Sequence, residues 1–160
     1  MPDYDQLAYS LRKALSVHLL PFTADNVGTY TPILLGSTIA GTFTYTLQNG
    51  NFVRLGNTAF VTAHVSISAI AVAPTGNLQL GGFPFTAATP DPGTLNLSDY
   101  TGFTLGAGYS QLGARITAST TRALLIKSGS AIQALVLAGG ALALIGGVAE
   151  IVYSGVYQIA

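Results

Sequence analysis

The chain is 160 residues long, carries six Lys/Arg against six Asp/Glu, and contains no cysteine. Balanced charge supplies no net field to draw it to nucleic acid or an anionic membrane, and the missing thiols exclude disulfides and thiolate metal centres. Only 8% of its residues are charged and 49% are apolar, against a usual charged share of about 25%, so association between copies is the expected way to cover its surface.

The N-terminus carries Asp3 and Asp5 where a secretory leader needs positive charge, so no leader is expected. Asp3 with Gln6 fits a capping box, and Pro21 fits a stop. Between them Leu7, Leu11, Ala14 or Leu15, and His18 recur at three- and four-residue steps, which predicts a short amphipathic α-helix. Its stripe docks on its own domain or on a partner, and two heptads are too few to specify a coiled coil. We therefore divide the chain into residues 1–29, a helix and linker acting as an anchor through Leu7, Leu11 and Leu15, and residues 30–160, a β-domain.

Strand signals begin at 42–48, where Phe43, Tyr45 and Leu47 share one face. Asn49-Gly50 predicts a hairpin turn, 52–55 a returning strand, and Gly56-Asn57 a second turn. From 58 to 69 the parity is regular: Val61, Ala63, Val65, Ile67 and Ala69 form an apolar face, and Thr62, His64, Ser66 and Ser68 a polar one. Pro74-Thr75-Gly76-Asn77 is the next turn, and 89–93 is the expected long surface loop. Later strands are predicted at 108–119, 122–127, 134–137, 142–145 and 151–159. Many short strands joined by turns imply an all-β protein, an antiparallel sandwich or jelly roll.

Residues 131–149 hold no charge and approach the roughly 20 apolar residues of a membrane span. The pairs Gly139-Gly140 and Gly146-Gly147 cut this run into strand-sized pieces, and each Gly costs a helix interior about 1 kcal/mol relative to Ala. Buried strands are the expected outcome, without membrane insertion.

No catalytic constellation emerges. His18 belongs to the helix stripe, and His64 shares a strand face with Thr62 and Ser66, the setting of a satisfied surface or interface histidine. Residues 108–113 space their glycines wrongly for a nucleophile elbow. Asp91, Asp99 and Glu150 are too scattered for paired-acid chemistry, and Asp91 with Asp99 is too thin a cluster for calcium. The chain is read as a non-enzyme with no cofactor and no metal. Contact with a ligand is expected in 90–103, a loop in which Asp91, Asn96, Asp99, Tyr100 and Phe103 combine aromatic faces with short polar groups.

Tyr45, Gly50, Phe52, Arg54, Gly56, Asn57, Phe60 and Val61 form one block, followed by Gly76-Asn77-Leu78, by Gly82-Phe83-Pro84-Phe85 and by Ser154-Gly155-Val156-Tyr157. Their order resembles the small β-rich domain of bacteriophage tail fibres and related virion structural proteins, a trimeric jelly roll of the complement and tumour-necrosis-factor type. The resemblance covers about residues 30–160. Arg54, nearly alone among apolar neighbours, is expected to pair with a carboxylate or to lie over an aromatic ring such as Phe52. The resemblance implies a virion location, a homotrimer, other virion proteins of the tail or capsid as partners, and a host surface glycan or protein as ligand. It implies a receptor-binding tail protein, with a cement or decoration protein of the capsid as the alternative.

Overall fold

A computed structural model describes residues 26–90, 92–130 and 132–160, with Ile132 by its backbone alone. The expected helix with Leu7, Leu11, Leu15 and His18 lies outside these residues, and so does Asp91. All ten strands are antiparallel: β1 (Val27–Tyr30), β2 (Ile33–Gly36), β3 (Thr42–Leu55), β4 (Thr58–Val72), β5 (Leu78–Gly81), β6 (Gly93–Thr101), β7 (Gln111–Ile116), β8 (Arg122–Gly129), β9 (Ile132–Val136) and β10 (Ala149–Gln158). They form one sheet in the order β1-β3-β4-β10-β6-β7-β8-β5-β2, with β9 added to β8. The only helical element among the described residues is a short 3-10 turn at Gly139–Ala141, and no described helix is long and apolar enough to cross a membrane.

The first and last strands of this path, β1 and β2, are joined by Thr31-Pro32 alone. Three Cα steps span at most about 11 Å, so the sheet must curl until its ends lie side by side. Side chains of β3 hold that seam. The Tyr45 hydroxyl donates to the Leu34 carbonyl (3.2 Å) and accepts from the Leu34 amide (3.1 Å), and Gln48 Nε2 donates to the Pro32 carbonyl (2.9 Å). One phenol thus replaces a pair of ladder bonds where the backbone ladder has ended.

Curling gives the sheet an inside. Ala59, Val61, Ala63, Val65 and Ile67 of β4 meet Leu95 and Leu97 of β6, Leu112 and Ala114 of β7, Leu125 of β8, and Ile151 and Tyr153 of β10 in a single core. The alternation read from the sequence holds from Val61 to Ile67, and then Ala69 is exposed. The register between β3 and β4 shifts between Thr44 and Tyr45 and again between Tyr45 and Leu47, and such bulges re-aim the side chains that follow.

Three expectations fail for identifiable reasons. Asn49-Gly50 is no turn: β3 runs through it, with Gly50 opposite Ala63 on one side and Tyr30 on the other. A Cβ on Gly50 would stand 2.7 Å from the Tyr30 ring, so the glycine admits a cross-strand aromatic and leaves the chain straight. Residues 90–103 are largely no loop, because Gly93–Thr101 is a central strand pairing with β10 and β7. Residues 142–145 form no strand and contribute only the isolated bridges Phe103 to Leu142 and Ile145 to Val148. The Gly56-Asn57 hairpin is present, with Leu55 opposite Thr58 and positive φ at Gly56 alone, the sign pattern of a type II′ turn.

Candidate functional site

Apart from Tyr45, which stands at the seam on Leu34, the residues singled out as a fold motif converge. Phe83 lies buried among Tyr30, Tyr153 and Tyr157, with ring centroids 6.1, 6.1 and 5.9 Å away. The half-buried Pro84 carries the chain to Phe85. The Phe85 ring meets Phe52 in a T-shaped pair with centroids 5.0 Å apart, and the Arg54 guanidinium lies 5.3 Å from its centroid. Arg54 therefore stacks on Phe85 and not on Phe52, and its Nε donates to the Gly56 carbonyl (2.9 Å). The Tyr157 hydroxyl clasps Phe85 as Tyr45 clasps Leu34, donating to its carbonyl (3.1 Å) and accepting from its amide (3.3 Å). Asn57 accepts a backbone bond from Ile159 (2.8 Å) and so ties the hairpin to the chain end. Tyr30 donates to the Tyr153 hydroxyl (3.1 Å). Burial pushes the Tyr30 and Tyr157 hydroxyls up to about 12, and raises those of Tyr153 and Tyr45 as well. These groups stay neutral and structural.

The ligand-contact candidates divide. Asn96 and Asp99 are exposed on β6, Tyr100 is half-buried with its hydroxyl donating to the Ser110 carbonyl (3.1 Å), and Phe103 is in the core at 8% exposure. Phe103 is thus closed to a ligand. Asn96 and Tyr100 are brought together at a cleft of about 370 Å³ lined also by Leu97, Gln111, Leu112, Gly113 and Ser128. Its cause is local: β6 and β7 pair at Thr94, Leu95 and Asn96, and beyond Asn96 they diverge. The register shift between β6 and β10 at Val152/Tyr153 steers Tyr100 to the cleft and Asp99 outward. Ser128 Oγ donates to Gln111 Oε1 (3.4 Å). Among the described residues no charged side chain lines the cleft, so its means of recognition are amides, a hydroxyl and one aromatic face, which suit a neutral polar ligand. Gln111 and Ser128 were missed in the sequence because nothing in 108–119 or 122–127 shows that their strands splay at that corner.

A second, shallower depression of about 250 Å³ lies on the outer face of β3, β4, β10 and β6, among Asn49, Asn51, Thr62, His64, Ser98 and Ser154. His64 Nε2 is in half-exposed hydrogen-bond contact with the Glu150 carboxylate of the neighbouring strand β10. Among the described residues no group of three His, Cys, Asp or Glu could hold a metal ion.

With this geometry in view, the chain can be set beside known proteins. No known sequence family matches it, and no curated protein does. A solved structure does. The crystal structure of the Dettilon tailspike protein (gp208) superposes on 84% of this chain with a TM-score of 0.64 and 18% sequence identity. The chain spans 24% of that tailspike's length. At this identity the likeness is one of fold: an antiparallel β-domain of the kind a phage tailspike contains.

Proposed function

We propose that the chain is a structural component of a bacteriophage tail that binds the host surface. In this reading it is a trimeric jelly-roll domain, fastened to other virion proteins through residues 1–29, and it acts by binding and not by chemistry. The observation that carries the reading is the fold shared with part of a tailspike over 84% of the chain. The neutral cleft between β6 and β7 supports it, since a surface meant to hold a host glycan or protein epitope needs polar groups without strong charge. Asn96, Tyr100, Gln111 and Ser128 would make the contact. Three weak sites on one trimer would sum through avidity.

Binding of the purified chain to host-envelope extract tests this. Saturable binding is expected, and Asn96→Ala should weaken it roughly tenfold per site, the effect of one or two lost hydrogen bonds at about 1.4 kcal/mol. Absence of binding at every concentration contradicts the receptor role.

A further inference from the structure

Val27, Val53, Phe60 and Val156 are direct register partners across β1, β3, β4 and β10, so their side chains stand in one row on the outer face of the sheet. Val27 is 39% exposed, Phe60 42% and Val156 41%, while Val53 is half-buried. A shallow groove of about 120 Å³ runs beside Phe60 between β3 and β4. Among the described residues, the same-face neighbours two positions along these strands are Thr29, Asn51, Leu55, Thr58, Thr62, Ser154 and Gln158, and none is charged. Continuing across the sheet, Val156 faces Thr94 and Thr94 faces Arg115, the first charge in the row.

We propose that this row is the contact surface for a second copy of the chain. Charge decides between occupants. A partner selected by electrostatics would find nothing to read here, whereas a copy of the same face meets it without the like-charge juxtaposition that ordinarily blocks self-association. A closed symmetric assembly can bury one such patch repeatedly, and an exposed aromatic at its centre is the kind of side chain that anchors an interface. With only 8% of its residues charged, the chain has little elsewhere to oppose association. This inference deepens the assembly part of the proposed function and rests on that reading only for the number of copies. Its failure would appear in the solution mass, whereas failure of the virion role would appear in host binding.

The chain has no cysteine, which permits a clean test. Thr62→Cys, exposed beside the row, should give covalently linked copies with a short bis-maleimide, and Ala107→Cys, exposed in the β6–β7 connection, should give few. Light scattering should return a multiple of the 16.4 kDa chain mass, and Phe60→Lys should raise the concentration for half-association at least tenfold while leaving the circular dichroism spectrum unchanged. A chain that is monomeric at every concentration, or a Phe60→Lys variant that assembles as the parent does, overturns the proposal. Either result would hand the row to the chain's own N-terminal residues or to a different virion protein.

Discussion

Phe83 and Phe60 are the same side chain in opposite circumstances. Phe83 is 5% exposed and touches three tyrosine rings, while Phe60, on β4, is 42% exposed and faces away from the core. Around Phe83 the hydroxyls of Tyr30 and Tyr157 are hydrogen-bonded, and Phe52, Phe85 and Arg54 extend the packing to the hairpin. Around Phe60 lie valines and uncharged polar groups on a face that no other described residues cover. The first region ties the ends of the curled sheet together, and the second is uncovered among the described residues. Composition alone sees two apolar residues. The difference lies in which side of the pleat each occupies.

Phe83→Ala is expected to bear hardest on this contrast, lowering stability by about 3–5 kcal/mol, the usual cost of emptying a core aromatic site. Urea unfolding reads it directly, and a cost no larger than that of Phe60→Ala would erase the distinction. Next comes Gly50→Ala, whose new methyl would stand 2.7 Å from the Tyr30 ring. Overpacking of this kind costs about 1–3 kcal/mol. Combining it with Tyr30→Leu should cost less than the sum of the two, because the clash is with that ring. A fully additive double variant would mean that Gly50 is needed for some other reason.

Tyr30→Phe removes only the bond to Tyr153 and should cost about 0.5–1.5 kcal/mol at neutral pH. Its larger signature is in alkali. Tyrosine loses its proton at about 10 in the unfolded chain, and burial holds Tyr30 and Tyr157 at about 12 in the fold. The folded state therefore keeps protons that the unfolded state has released. Their contribution is complete below pH 10 and is lost as pH rises from 10 to 12. The parent should lose stability steeply over that window, and Tyr30→Phe less steeply. Parallel curves would show that the Tyr30 hydroxyl is not buried as described. Smallest of all is Phe60→Ser, expected to change the unfolding stability of the dissociated chain, measured below the half-association concentration, by no more than about 0.5 kcal/mol, as for an exposed position.

Much of this was legible in the sequence where parity is strict and turns are local. The core face of β4 from Val61 to Ile67 and the Gly56-Asn57 hairpin are both written in adjacent residues. So was the all-β class. What the sequence hid is long-range. Asn49-Gly50 carries a hairpin signature, yet the Tyr30 ring claims that glycine from another strand. Thr94, Asn96 and Ser98 alternate with Leu95 and Leu97 as a strand should, but Pro90, Pro92 and Gly93 beside them suggested a loop. β1, β2 and β5 are short enough to give little periodic signal, and their pairing is set by strands distant in the chain. Of the contact candidates, Asn96 and Tyr100 reach the cleft, Tyr100 beyond the bulge between β6 and β10, whereas Phe103 lies past the end of β6, bridged to Leu142 and buried in the core. Arg54 was expected to pair with a carboxylate or to lie over a ring such as Phe52, and only the curl of the sheet brings the ring of Phe85 beneath it.

The most direct test of the account is electron microscopy of purified phage particles decorated with gold-labelled antibody against this chain. Label confined to the tail is the predicted result. Label spread over the head would contradict it, and would make the chain a decoration protein of the capsid with no host-binding role.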